Sequence, residues 1–205
     1  MLAKAAKGVF WFFTLAIPSV YFFLTAISGW AAFEHMKLHV PHAAIFWTHV
    51  LAASVALLML PFQFWQRLRN RRRSLHRWMG RIYVVAVLLG GTSGLYMAFF
   101  AMTGPVAGAG FFTLAVIWLA VTTLAYVKAR ARDIPAHQRW MIRSAALTFA
   151  AVTLRIYMPT SQIAGLPFEP VYTAVAWLSW VPNLIVAEWW IRSSRPTSLQ
   201  VTRAV

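Results

Sequence analysis

Leu75-His76-Arg77-Trp78-Met79-Gly80-Arg81-Ile82-Tyr83 returns further along the chain as His137-Gln138-Arg139-Trp140-Met141-Ile142-Arg143-Ser144. In each copy a histidine stands just ahead of an Arg-Trp-Met run, closing an arginine-rich stretch and opening a long apolar one. The repeating unit therefore reads as a helix, a basic turn and a second helix. The register is imperfect, because His137 falls one residue earlier relative to its Arg-Trp-Met than His76 does.

Around this repeat the composition sets the class. Apolar residues make up 60% of the 205, charged residues 11%, and there are eleven tryptophans; the mean hydropathy is +0.64. Soluble domains lie far from these values, so an all-α integral membrane protein is expected. Six apolar segments can be drawn, at about 9–31, 44–65, 79–102, 109–127, 140–158 and 171–191, each near the ~20 residues that cross a bilayer core. Residues 1–192 then form one six-transmembrane-helix bundle. Its central four-helix core is built from the two helix-pair repeats, with the first and sixth helices packed outside. The polar tail, 193–205, reads as disordered.

A net charge of +15 invites a nucleic-acid reading, but the basic residues are not spread over a soluble face. They gather at alternate helix ends. Lys4 and Lys7 precede the first segment, Arg67 to Arg81 bridge the second and third, Lys128 to Arg143 bridge the fourth and fifth, and Arg192, Arg195 and Arg203 follow the sixth. Only Lys37 and Arg155 fall elsewhere. The positive-inside rule puts the basic ends in the cytoplasm, with both termini. Anionic lipid headgroups are the partners expected there, at ~1 kcal/mol per residue; nucleic acid is not. A signal peptide is the competing reading of the N-terminus, but the run from Val9 to Ala32 is too long for one. The chain has no cysteine, which excludes disulfides, thiolate chemistry and iron–sulfur clusters.

Several motifs in order resemble one family. Pro61-Phe62-Gln63-Phe64, the two Arg-Trp-Met stretches, Arg155-Ile156-Tyr157 and Trp180-Val181-Pro182-Asn183 are similar to the bacterial predicted membrane proteins grouped as domain of unknown function 2306, over His49 to Glu188. That resemblance implies no particular activity. The helix count and paired histidines are more distantly similar to cytochrome b-561 and ferric-reductase groups, an analogy of architecture alone.

Chemistry must then be sought where polar groups are costly, because each one in hydrocarbon needs a partner. Two layers emerge. The cytoplasmic layer holds Gln63, His76, His137, Asn183 and Glu188. Ser74 and Asp133 are expected as helix caps just before the two histidines, with Pro135 in a first turn. If the third and fifth helices face each other, His76 and His137 supply two axial ligands to one haem b. Bis-histidine ligation suits electron transfer, because no iron position stays open. Arg77, Arg81, Arg139 and Arg143 would then pair with propionates, and Trp78 and Trp140 would pack on the macrocycle. The bland alternative is that both histidines are interfacial anchors beside tryptophan and arginine.

The other layer holds His49 and Arg155, with Glu34, His35, His39, His42 and Glu169 in neighbouring loops. An arginine this deep is paired, hydrated or snorkelling. The functional reading makes Arg155 and His49 walls of a periplasmic pocket for a quinone headgroup or a small anion. Gln63, Asn183 and Glu188 are the remaining candidate pocket residues. His35, His39 and His42 have a spacing that could chelate a metal on a continuous helix, although Pro41 works against that helix; a solvated loop is the alternative. Gly90, Gly91 and Gly94 read as a helix interface, Gly104-Pro105 with Gly108 and Gly110 as a turn, and Pro182 as a kink.

The reading reached is a small b-type haem-binding electron-transfer protein of the membrane, and, if an enzyme, an oxidoreductase. Quinone or a redox protein would be its partner, and oligomers are compatible with it. The alternative is a cofactor-free transporter or an accessory subunit of a larger membrane complex.

Overall fold

The computed structural model describes residues 43–193. Eight helices follow one another and no strand occurs among the described residues: α1 (Ala43–Phe64), α2 (Gln66–Arg71), α3 (Arg73–Ala98), α4 (Pro105–Arg130), α5 (Ile134–Thr148), α6 (Ala150–Ile163), α7 (Phe168–Leu178) and α8 (Val181–Ser193). Helices α5 and α6 are one span interrupted at Phe149, and α7 with α8 another interrupted at Ser179 and Trp180. Among the described residues five stretches are thus long and apolar enough to cross a membrane. The segment expected at 9–31, together with Glu34, His35, His39, His42 and the tail beyond Ser193, lies outside the described residues.

Helix starts are set by local chemistry. Asp133 caps α5, its carboxylate accepting from the Ala136 amide at 3.1 Å, and a proline follows in the first turn, where its missing N–H costs nothing. Ser74 does not cap α3: that helix already begins at Arg73, and its N-cap Arg72 makes no side-chain cap bond. The turn into α4 depends on Gly104, whose φ of 88° falls in the left-handed region that glycine enters freely. Gly108 and Gly110, read as part of that turn, lie inside α4 and serve packing. A β-carbon on Gly108 would meet the Ala98 carbonyl oxygen at 2.7 Å, and one on Gly110 the Trp177 Nε1 at 2.9 Å.

The core joins α1, α3, α4 and the α5–α6 span. Leu57 and Leu60 of α1, Tyr83 and Val87 of α3, Trp118 and Val121 of α4, Met141 and Leu147 of α5 and Val152 of α6 form one buried cluster. Helix α7 packs on α4, and α8 on α5. Large apolar side chains such as Leu51, Val85, Leu89, Ile185 and Trp189 point outward, as they do where lipid is the solvent. Close packing and polar bonds, not expulsion of water, then hold the helices together. Gly90 and Gly91 provide the close approach: a β-carbon on Gly90 would come within 3.3 Å of the Ala53 backbone nitrogen, and one on Gly91 within 2.6 Å of Leu119 Cδ2.

Pro182 lacks an amide proton, so the span α7–α8 is broken beside it. Within the break the Ser179 carbonyl accepts from side chains, Thr153 Oγ1 at 2.7 Å and Asn183 Nδ2 at 2.9 Å. Asn183 also donates to Thr153 Oγ1 and the Ala146 carbonyl. It is a structural clamp between α5, α6 and α8.

Candidate functional site

Because successive spans alternate, the arginine-rich connections, through α2 and through Ala131–Asp133, share one end of the bundle. At that end the two repeat histidines become equivalent. His76 is the fourth residue of α3 and His137 the fourth of α5. The amide of each closes the first full turn, onto the carbonyl of Arg72 at 3.0 Å and of Asp133 at 2.9 Å respectively. The one-residue offset in the Arg-Trp-Met register is absorbed by where each helix starts. Two turns on, the same faces meet: Tyr83 and Ser144, each seven residues past its histidine, share a hydrogen bond of 2.7 Å. Helices α3 and α5 therefore face one another across the core.

The ring nitrogens are arranged differently. His137 Nδ1 sits 2.8 Å from the Ala125 carbonyl oxygen, which can only accept, so Nδ1 carries the proton and Nε2 is left as a potential ligand atom. A backbone carbonyl in this position fixes the ring's orientation and raises ligand basicity. His76 Nδ1 is buried and has no partner among the described residues; the same holds for Gln63 Nε2. Gln63 lies against Gly80, one turn past His76, where a β-carbon would meet its Oε1 at 3.2 Å. The absence of a side chain at Gly80 is what lets Gln63 approach α3 one turn past His76.

The arginines named with these histidines separate. Arg143 is held away from them in a bidentate ion pair with Glu188, Nη2 donating to Oε2 at 3.0 Å and Nε to Oε1, and its guanidinium lies 4.6 Å from the Trp140 ring centroid. Glu188 thereby joins α8 to α5. Arg77 and Arg139 are exposed at the basic end. Arg81 and Trp78 turn outward and line an apolar groove with Leu51, Val55 and Val85; Trp78 is 61% exposed.

A hydroxyl network fills the middle of the core. Tyr83, fully buried, bonds both Ser144 Oγ and Thr148 Oγ1 at 2.7 Å. Thr122 Oγ1 bonds Ser144 Oγ at 2.6 Å, and Trp118 Nε1 donates to Thr148 Oγ1 at 2.9 Å. Reading the sequence missed this cluster. Its one legible trace was the spacing of seven that puts Tyr83 and Ser144 on the histidines' faces.

Beyond the network, toward the opposite end, a cavity of about 270 Å³ opens among α1, α3, α4, α6 and the break after α7. His49 and Arg155 both line it, with Ser54, Thr148 and Ser179 as further polar walls and Phe46, Leu57, Gly94 and Trp118 among the apolar ones. His49 Nδ1 lies 2.8 Å from the Gly90 carbonyl oxygen, and a β-carbon on Gly94 would come within 3.2 Å of the imidazole. Arg155 Nη1 donates back to the Ala151 carbonyl at 2.9 Å. Gln63, Asn183 and Glu188 do not line this cavity. Among the described residues no three histidine or carboxylate side chains gather as a metal site.

No curated protein and no solved structure matches this chain. Residues 46–191, which contain both repeat histidines, the hydroxyl network and the cavity, match the model of a family described as predicted membrane proteins, domain of unknown function 2306, and the chain belongs to that family.

Proposed function

We propose that this protein is a small b-type cytochrome of the membrane, with His76 and His137 as the axial ligands of one haem b. The observation that carries the reading is the placement of the two imidazoles at the same helical position on two helices that face across the core. His137 fits a ligand role through its Nδ1 bond to the Ala125 carbonyl, and His76 through a buried ring nitrogen with no partner among the described residues. Bound there, haem would supply one-electron transfer. Arg77 and Arg139 are the residues for its propionates, Arg143 being engaged by Glu188. With the basic end toward the cytoplasm of a bacterial inner membrane, haem would lie near that face and the His49–Arg155 cavity toward the other.

Visible spectra of the purified protein, oxidised and dithionite-reduced, test this. A Soret band with sharp reduced α and β bands is expected in wild type and its loss in His76→Ala and in His137→Ala. A folded but colourless protein, even after expression with haem precursor, would overturn the reading in favour of a cofactor-free transporter or accessory subunit.

A further inference from the structure

The cavity carries donor and acceptor groups that the haem reading does not use. His49 Nδ1 faces a carbonyl oxygen, so it must hold the proton, and in the neutral ring Nε2 is left as an acceptor. Ser179 is fully buried, lines the same cavity, and its Oγ has no hydrogen-bond partner among the described residues. A buried hydroxyl without a partner costs free energy unless something it can bond to arrives. Its own carbonyl is already occupied by Thr153 and Asn183, which fix the backbone carrying the hydroxyl.

The remaining wall constrains shape. Gly94 leaves no side chain beside the His49 imidazole, while Trp118, Phe46 and Phe111 provide aromatic surface. At about 270 Å³ the space lies just under the ~300–1,000 Å³ usual for ligand pockets. It suits one ring with its polar substituents, not a long-chain molecule enclosed whole. Its mostly apolar walls suit the ring of a lipid-soluble molecule.

We propose that this cavity binds the ring of a lipid-soluble hydroquinone, one hydroxyl donating to His49 Nε2 and another ring oxygen accepting from Ser179 Oγ. This deepens the electron-transfer reading by naming the class of its small-molecule partner. Binding itself does not depend on haem, so the two can fail separately.

The test is calorimetric titration of the full chain in mild detergent with a short-tailed hydroquinone, its dimethyl ether and decanoate. Saturable binding of the hydroquinone is expected, with the ether weaker by about tenfold or more, because a site built to accept from a hydroxyl rejects the analogue that lacks it. That preference should vanish in His49→Phe. Ser179→Ala should weaken the hydroquinone severalfold, and Ser54→Phe, which fills the cavity from α1, should abolish binding while thermal unfolding reports an intact fold. Equal affinity for hydroquinone and ether in wild type would overturn the proposal, as would preference for decanoate or the absence of saturable binding. None of these readouts uses haem absorbance.

Discussion

Replacing Tyr83 by phenylalanine removes one oxygen from the most enclosed polar group of the core and keeps the ring that packs among Leu60, Val87 and Met141. Two hydrogen bonds are lost, to Ser144 Oγ and Thr148 Oγ1. Neither partner is orphaned: Ser144 keeps Thr122, and Thr148 keeps Trp118 and the Ser144 carbonyl. The cost is therefore that of two bonds without a desolvation penalty, at ~0.6 to ~1 kcal/mol each for polar bonds between membrane helices and in proteins generally. Tyr83→Phe should then destabilise by roughly 1–2 kcal/mol, and Tyr83→Ala, which also leaves a cavity, by roughly 3–5 kcal/mol. Reversible unfolding by sodium dodecyl sulfate in mixed micelles, followed by circular dichroism, measures both. A double-mutant cycle with Ser144→Ala isolates the bond across the α3–α5 interface and should show a coupling of about 0.6–1 kcal/mol. Additive single effects, or a Tyr83→Phe protein as unstable as Tyr83→Ala, would refute the claim that this network ties the two histidine-bearing helices together.

Breaking the Arg143–Glu188 pair from one side should be worse than removing it entirely, since a lone guanidinium among apolar helices has lost its partner; unfolding midpoints should place Glu188→Gln below the Arg143→Met/Glu188→Gln double variant. Of the two close glycines, Gly108→Ala should cost more than Gly91→Ala. The new β-carbon would meet a backbone carbonyl at 2.7 Å in the first case and the movable end of Leu119 at 2.6 Å in the second, a difference that thermal unfolding resolves. Asp133→Ala removes the α5 cap and should cost about 1 kcal/mol. If His137 ligates haem, the same change should broaden the reduced α band, because it loosens the turn from which that ligand projects.

The all-helical class and the membrane setting were legible because a run of some twenty apolar residues has few ways to satisfy its backbone in lipid. Helix is the one available to a single segment. The arginine clusters likewise marked which connections share an end, and the repeated Arg-Trp-Met runs marked α3 and α5 as counterparts. The candidate sites were only partly readable. His49 and Arg155, far apart in sequence, were expected together and line one cavity. Glu188, grouped with the pocket residues, instead holds Arg143, and Asn183 clamps the broken α7–α8 span.

What the chain alone could not convey is how each helix is rotated about its own axis. Apolar composition on nearly every face leaves that rotation undetermined in hydrocarbon, where any side can meet lipid. Packing decides it, through glycines that admit a neighbouring backbone and hydroxyls that must find one another. That is why Trp78, placed by sequence beside His76, points outward, while Tyr83 and Ser179, which looked unremarkable in the sequence, are buried in the core. The offset between the two histidines dissolved because the helices begin at Arg73 and Ile134, so that helix start, not motif spacing, brings both histidines to the fourth position. Sequence determined that the chain is helical and apolar enough for a membrane and which connections are basic; the tertiary structure decided which polar atoms meet.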